Sequence, residues 1–147
     1  MARADAGTQT ITAIHQEIID AANRRDWEAI RSRYAPDVVY TDHARGETIH
    51  GVEAVIEDYR AWTEAFSDGR IEEAVFDQAG DLSVARFIGR GTQDGPLGPF
   101  PPTGEMAETS FCDVARFNDD GQIVAEDFYY DQLSMLTQLG HIPDLEG

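Results

Sequence analysis

The residues in this sequence that could do chemistry are acids placed inside or directly beside expected β-strands. Asp113, Glu126, Asp127 and Asp131 all lie between residues 110 and 140. Strands disfavour acidic side chains unless these face water or serve a purpose. Two carboxyl groups in an apolar setting could exchange protons with a substrate, because burial and mutual repulsion raise the pKa of at least one of them.

Asp113 is the first candidate for such an acid. Alternation along its strand predicts that it points to the same side as Phe111 and Phe117. Apolar neighbours would raise the pKa of the carboxyl towards neutrality and make it a candidate catalytic acid. The alternative is a structural salt bridge with Arg86 or Arg116.

Glu126 is the second candidate, because it shares a strand face with Phe128 and Tyr130. If this face lines a pocket, Glu126 could act together with Asp113. The neighbouring Asp127 then points away from the pocket. Asp131 is expected to cap a C-terminal helix instead.

A third carboxylate, Asp42, follows the short run Val38 to Thr41, which has strong β composition. We interpret Asp42 either as a general base at a pocket mouth or as a residue that caps a turn. The adjacent His43 has a suitable pKa for proton transfer, although a single loop histidine is more often solvated.

The composition limits the classes of partner. The 147 residues carry 28 acids against 11 basic residues, all arginines, which gives a net charge of −17. Such a surface repels nucleic acid and anionic membranes, so neither is predicted as a partner. No apolar run approaches the roughly 20 residues of a membrane helix. The N-terminus lacks the features of a signal peptide, and we expect a cytoplasmic location with residues 1–9 as a frayed leader.

The four histidines show no paired ligand spacing, and no glycine-rich phosphate loop follows a strand, so we predict neither a metal nor a cofactor. The single cysteine, Cys112, excludes an internal disulfide, and we interpret it as a buried structural thiol.

Apolar periodicity predicts helices capped by Thr8 or Thr10, by Asp26 and by Gly51, with a break at Pro36 and a polar loop over residues 44–48. Tyr34 is placed on the buried side of the second helix. From Arg70 onward the pattern changes to strands, which are interrupted by a glycine- and proline-rich loop over residues 93–104. The last two strands, Met106 to Phe117 and Ile123 to Tyr130, are predicted to form a hairpin around a tight turn at Asn118 to Gly121. Three helices followed by strands predict a single α+β domain over residues 1–147, with residues 141–147 as a tail.

The sequence also resembles a known family. The segments Ala21–Trp27 and Tyr34–Val38 look like the opening of the cone-shaped fold shared by nuclear transport factor two, ketosteroid isomerase and scytalone dehydratase. The closer likeness is to SnoaL-like polyketide cyclases. It rests on His50-Gly51, Phe66-Ser67-Asp68, Gly91-Thr92, Pro101 to Gly104, Asp120 to Ile123 and Asp131…Gln138-Leu139-Gly140.

The resemblance implies a cone formed by a curved antiparallel or mixed sheet, with three N-terminal helices packed on its concave face. It also implies a homodimer formed through the outer face of the sheet. A hydrophobic small molecule would occupy the cone. Its expected contacts, drawn from the family positions and from the pocket-wall aromatics, are Ile18, His43, Tyr59, Trp62, Phe111, Phe128 and Tyr130.

Only some of the relatives' catalytic residues are found at the matching positions of this sequence. The position at which SnoaL-like cyclases keep their carboxylate is Phe128 here, and two family histidines correspond to Asp113 and Glu126. In the ketosteroid isomerase pattern, Asp42 matches the proton-shuttling Asp and Asp113 matches the protonated Asp of the oxyanion hole. The tyrosine of that hole is Ile18 here.

We therefore expect a cofactor-independent acid/base enzyme of the cyclase, isomerase or dehydratase type, acting on a hydrophobic carbonyl compound such as a polyketide or terpenoid. Asp42 would be the base, Asp113 the acid or oxyanion donor, and Glu126 the reserve for either role. Two alternatives are a non-catalytic carrier of apolar ligands and an epoxide-hydrolase-like enzyme whose acidic pair activates water.

Overall fold

The protein is described by a computed structural model that covers residues 9–143. Most of the predicted leader and the last four residues of the predicted tail lie outside this range. The described part holds four helices: α1 (Ile11–Arg24), α2 (Trp27–Arg31), α3 (Val52–Ala65) and α4 (Gln132–Gln138).

The helix starts follow the predicted caps. The Thr10 hydroxyl accepts a hydrogen bond from the amide of Ala13 at 3.1 Å, and the Asp26 carboxylate accepts one from Ala29. Asp131 caps α4 in the same way. These three caps are confirmed, because each side-chain oxygen satisfies an otherwise unpaired amide of the first turn.

Six strands form one mixed sheet: β1 (Tyr34–Asp42), β2 (Glu47–His50), β3 (Arg70–Ala79), β4 (Leu82–Thr92), β5 (Met106–Phe117) and β6 (Ile123–Tyr130). Their order is β2-β1-β6-β5-β4-β3, so the sheet has two free edges and does not close. Strands β1 and β6 pair in parallel, and the other neighbours pair antiparallel. The α+β class is confirmed.

Two local predictions on the N-terminal side of the sheet are wrong. Tyr34 begins β1 instead of ending α2, and Pro36 lies inside this strand. Pro36 falls where the register between β1 and β6 shifts, so its missing amide interrupts no regular pairing. Part of the predicted polar loop forms β2, which pairs with β1 and places Glu47 opposite Asp42.

The hairpin between β5 and β6 has the predicted bounds and turn. The Asn118 side chain accepts hydrogen bonds from the amides of Asp120 and Gln122, and Gly121 adopts a φ of 74°. Asparagine and glycine are the residue types that such a turn favours. The hairpin brings Asp113 opposite Phe128 and Ala115 opposite Glu126.

The main core lies between the helices and the sheet. Helix α1 contacts β3 and β4, while α3 contacts β1 and β2. The buried residues at its centre include Ile30, Tyr34, Val38, Val55 and Ile123. No helix in the described range is long and apolar enough to cross a membrane.

Candidate active site

A cavity of about 160 Å³ is lined by residues from α1, α3 and the strands β3 to β6. Its volume is similar to that of an apolar protein cavity that encloses one benzene ring. Most of its lining is apolar, and only a few polar groups face it. A pocket of this composition suits a small molecule or one end of a larger one.

Three phenylalanines on adjacent strands form one wall of the cavity. The rings of Phe87 and Phe111 are 5.4 Å apart at an interplanar angle of 15°, and those of Phe111 and Phe128 are 5.1 Å apart at 12°. Trp62 meets Phe111 edge-on at 89°. The three stacked phenylalanine rings and Trp62, which stands perpendicular to Phe111, are together called the aromatic wall.

Gly89 makes space for the aromatic wall, because it has no side chain. A Cβ atom at this position would lie 2.6 Å from Cε1 of Phe111, which is closer than a real contact allows. The glycine therefore leaves space for the edge of the Phe111 ring, which is stacked between the rings of Phe87 and Phe128.

Three titratable side chains meet at the cavity: His15 from α1, Asp113 from β5 and Glu126 from β6. One ligand atom from each lies within 4.8 Å of the other two. All three residues are buried, with exposed fractions of 1%, 6% and 3%. We call these residues the buried triad.

His15 forms a hydrogen bond with one carboxyl oxygen of Asp113. Its Nε2 atom lies 2.8 Å from Oδ2 of Asp113, and its Nδ1 atom lies 2.7 Å from the hydroxyl of Ser83. Burial lowers the pKa of His15, so we assign it as neutral, with Nε2–H donating to Asp113 and Nδ1 accepting from Ser83. The other carboxyl oxygen, Oδ1, is buried and has no hydrogen-bond partner in the described structure.

Glu126 is held by two tyrosines. The Tyr34 hydroxyl donates to Oε1 of Glu126 at 2.6 Å, and the Tyr59 hydroxyl lies 3.0 Å from that of Tyr34. Since Tyr34 uses its only proton on Glu126, Tyr59 must donate to Tyr34. A proton on Glu126 is therefore carried by Oε2.

The carboxyl groups of Asp113 and Glu126 differ in pKa. Burial raises the pKa of Asp113 to about 6. Burial, followed by repulsion from Asp113, raises the pKa of Glu126 well above its ordinary range. At neutral pH this arrangement favours an ionised Asp113 next to a protonated Glu126, a division of roles that neighbouring carboxyl groups adopt in acid/base enzymes.

Asp42, predicted as a general base at a pocket mouth or as a turn cap, is not among the residues that line the cavity. Its Oδ2 lies 2.7 Å from Nε of Arg45 and accepts from the Tyr130 hydroxyl at 3.0 Å, while Oδ1 accepts from the Arg45 amide. Arg45 also pairs with Asp58 at 2.8 Å. Because both oxygens are engaged in this network, the geometry fits the turn-capping alternative.

His43 and Tyr130, which were predicted as substrate contacts, are also not among the residues that line the cavity. The exposed His43 ring stacks on Tyr129 at 4.3 Å and bonds Asp127 at 2.8 Å. The Tyr130 ring packs 5.7 Å from that of Trp62, and the Tyr130 hydroxyl donates to Oδ2 of Asp42.

The structure brings the remaining predicted site residues together around the cavity: Ile18, Tyr59, Trp62, Phe111, Asp113, Glu126 and Phe128. The arginines proposed as alternative partners of Asp113 lie elsewhere. Arg86 approaches Asp77, and Arg116 pairs with Asp81.

His15 is the main functional candidate that sequence reasoning missed. It lies four residues after Ile11 and three before Ile18, so it falls on the apolar stripe of α1. A histidine at such a position is buried and needs a partner. The position of His15 on this stripe therefore predicted its burial. It did not predict the partner, because Asp113 lies 98 positions further along the sequence.

The buried triad also has the composition of a cation site, since a histidine nitrogen and two carboxylates are common ligands of divalent metals. Among residues 9–143 it is the one group of three or more such side chains with this proximity. In that use, Nδ1–H of His15 would donate to Ser83, as ligand histidines commonly do to a second group.

These features define the chain as an α+β domain with an apolar cavity and two buried acids. Its residues 12–139 match the model of the SnoaL-like polyketide cyclase family. The chain belongs to this family, which confirms the resemblance drawn from its motifs.

Solved structures share the fold. A candidate SnoaL-like polyketide cyclase from Jannaschia sp. CCS1 is 20% identical, with a TM-score of 0.82 over 97% of this chain and 100% of the other. A candidate polyketide cyclase from Pseudomonas putida KT2440 is 19% identical, with a TM-score of 0.82 over 90% and 100%. IdmH, a candidate polyketide cyclase from Streptomyces antibioticus, is 27% identical, with a TM-score of 0.75 over 90% and 99%. None of the curated proteins matches the chain.

Proposed function

We propose that this protein is a cofactor-independent acid/base enzyme of the cyclase type. It would act on a hydrophobic small molecule that carries a carbonyl group, such as a polyketide intermediate. The observation that carries the proposal is the buried pair Asp113 and Glu126 at the cavity, in which Oδ1 of Asp113 has no neighbour able to donate except the proton on Glu126. Membership of the SnoaL-like family and the likeness to IdmH support the same class.

In the proposed reaction, Asp113 is the base. Its Oδ1 removes a proton from the carbon next to the substrate carbonyl, while the neutral His15 ring holds Oδ2. A carboxylate with a pKa of about 6 is mostly ionised at neutral pH and still basic enough to accept this proton.

Glu126 is the proposed acid. Its Oε2–H donates to the substrate carbonyl oxygen and stabilises the enolate that forms when the proton leaves. The Tyr59–Tyr34 pair holds the other oxygen of Glu126 in place. In the ketosteroid isomerase pattern a tyrosine belongs to the oxyanion hole, and that position is Ile18 here. The hydroxyl groups of Tyr34 and Tyr59 would take the place of this tyrosine by supporting Glu126.

Three outcomes are open to the enolate. It can take the proton back from Asp113 at another carbon, attack a second carbonyl to close a ring, or expel a β-hydroxyl group. All three use one base and one acid, so the buried triad is compatible with isomerisation, cyclisation and dehydration. Within the family, ring closure is the reaction we propose.

The proposal includes the cone arrangement inferred from the resemblance, with the three N-terminal helices on the concave face of the sheet. Contacts of α1 with β3 and β4 and of α3 with β1 support it. The substrate would then enter between the helices and the sheet.

Exchange of the α-protons of 2-tetralone in D₂O, followed by NMR, tests the proton transfer without knowledge of the substrate. We expect the protein to accelerate exchange, and Asp113→Asn and Glu126→Gln to slow it by about a hundredfold. The rate should fall as the pH drops below about 6, because Asp113 then takes up a proton.

Asp42→Asn is the control variant, since Asp42 is a buried acid outside the cavity. The exchange rate of Asp42→Asn should decrease at low pH with the same midpoint as that of the parent protein. If the Asp113→Asn variant exchanges 2-tetralone as fast as the parent protein, Asp113 is not the base. Binding of 2-tetralone without any exchange would favour the carrier alternative, which the apolar aromatic wall also fits.

A further inference from the structure

Thr109 lies on β5, on the same face of the strand as Phe111 and Asp113. Period-two alternation places these three side chains on one side of the sheet, and all three residues line the cavity. Thr109 is buried, with an exposed fraction of 6%. It therefore belongs to the cavity and is separated along the strand from Asp113 by the aromatic wall residue Phe111.

The hydroxyl of Thr109 has no hydrogen-bond partner in the protein. Among residues 9–143, two buried side-chain polar atoms are unpartnered, Oγ1 of Thr109 and Oδ1 of Asp113. Both residues line the cavity. The proton on Glu126 is the nearest donor to Asp113, so the bonding of Asp113 is explained within the site. That of Thr109 is not.

The neighbours of Thr109 in the sheet offer its hydroxyl no bond. Its cross-strand partner on β4 is Gly89, and the adjacent residues on its own strand face are Ala107 and Phe111. None of these three has a polar side chain. A hydroxyl that is buried without a partner costs free energy, because it has given up its hydrogen bonds to water.

Other polar side chains that line the cavity are bonded within the protein. The side-chain amide of Asn23 bonds both backbone groups of Ile71, at 3.0 and 2.9 Å. The hydroxyl of Thr63 donates to the carbonyl of Arg60 at 2.8 Å. In contrast to this second threonine, Thr109 keeps its whole hydrogen-bonding capacity for a ligand.

We propose that the Thr109 hydroxyl binds a second oxygen of the ligand, at the end far from the buried triad. A threonine hydroxyl both donates and accepts, so this oxygen is a hydroxyl or a keto group. Thr109 lies four positions before Asp113, which is about 13 Å along a β-strand. The inference rests on the proposed function and names its substrate class: an extended apolar carbonyl compound with a second oxygen at its opposite end.

Isothermal titration calorimetry with substituted 2-tetralones tests this site. The hydroxy compound is compared with the methyl compound, and the hydroxymethyl compound with the ethyl compound, each with the substituent at carbon 6 and at carbon 7. Each pair exchanges one hydroxyl for a methyl group, and the two substituent lengths probe the distance to Thr109. In at least one pair, the hydroxyl-to-methyl ratio of affinities should be about tenfold higher in the parent protein than in Thr109→Val. Thr109→Ser restores the hydroxyl and should keep the parent ratio.

Melting of the ligand-free protein tests the unpartnered hydroxyl itself. Thr109→Val keeps the shape of the side chain and removes the buried polar atom, so its melting temperature should rise by about 2–4 °C. Thr41→Val is the matched control, because Thr41 also lies on a strand but its hydroxyl is 3.2 Å from that of Thr48. Thr41 does not line the cavity. The control should keep the parent ratio of affinities and should not gain in melting temperature.

Equal ratios in the parent protein and in Thr109→Val for every pair would overturn the proposal. A lower melting temperature of Thr109→Val would also overturn it, because the hydroxyl would then have a partner within the protein. If the parent protein shows the hydroxyl preference but exchanges no proton of 2-tetralone, the Thr109 site stands and the catalytic proposal fails. If it exchanges protons while the ratios are equal, the Thr109 site fails alone.

Discussion

Asp113 uses only one of its two carboxyl oxygens inside the protein. His15 bonds Oδ2, while Oδ1 remains buried and unpartnered. A buried polar atom without a partner lowers stability, because it has lost water and gained nothing in return. The proton on Glu126 is the nearest donor to this carboxyl group, and a substrate carbonyl that takes over the Glu126 hydrogen bond would leave Oδ1 free to act as the proposed base.

The raised pKa of Asp113 has a measurable effect on folding. The ordinary pKa is 3.8, and in the folded protein it is about 6, so the folded state favours the protonated carboxyl. The stability that Asp113 contributes is therefore lost as the pH rises from ~4 to ~6, by roughly 3 kcal/mol. In urea unfolding, the stability of Asp113→Asn relative to the parent protein should therefore rise between pH ~4 and pH ~6, because the variant lacks this decrease.

The exposed turn residue Asp119 provides a matched control for that titration. Asp119→Asn should follow the parent protein over the same pH interval. A constant difference in the free energy of unfolding between Asp113→Asn and the parent would show that Asp113 ionises normally.

At the scale of elements, the sequence was most informative about local structure. The alternation along β5 and β6 and the turn at Asn118 to Gly121 predicted the hairpin with its correct bounds. It also placed Asp113 and Glu126 on the buried side, where both are found. Local patterns suffice here because a strand face follows from period-two alternation alone.

Contacts between distant elements were not predictable in the same way. The His15–Asp113 bond joins α1 to β5, and the parallel pairing of β1 with β6 joins opposite ends of the chain. Neither leaves a local pattern. The network around Asp42 was not predictable for a related reason, since its partner Arg45 is close in sequence but is also held by Asp58 on α3.

Strand β4 gives a prediction at this scale. A methyl group at Gly89 would collide with the Phe111 ring, which is fixed between Phe87 and Phe128. Gly89→Ala should therefore push Phe111 into the cavity and weaken binding of 2-tetralone by about tenfold, since overpacking a tight site costs at least 1 kcal/mol. Titration of tryptophan fluorescence measures this affinity.

Ser110→Ala is the control for Gly89→Ala, because Ser110 lies opposite Ile88 on the same strand pair with its side chain exposed. It should bind 2-tetralone as the parent protein does. Unchanged affinity in Gly89→Ala would mean that the aromatic wall can rearrange without narrowing the cavity.

At the scale of the whole molecule, the sheet face away from the cavity carries a patch of mixed apolar and charged residues. A shallow groove there contains the exposed Val75 and Tyr129, together with Ile88, Cys112 and Arg86. Cys112 is only half-buried in the isolated chain, which corrects its interpretation as a buried thiol. A second copy of the chain on this face would cover all five residues.

We propose that this outer face forms the homodimer interface expected from the family resemblance. In a two-fold arrangement, Arg86 of each copy could meet Glu73 or Asp131 of the other, since both acids border the groove.

Light scattering after gel filtration at micromolar concentration should give about twice 16.3 kDa. Tyr129→Asp should shift the mass to that of one chain, because it places a new charge in an apolar contact. Leu133→Glu, an equally exposed apolar residue on α4, should leave the dimer intact, and a parent protein of 16.3 kDa under these conditions would exclude the interface.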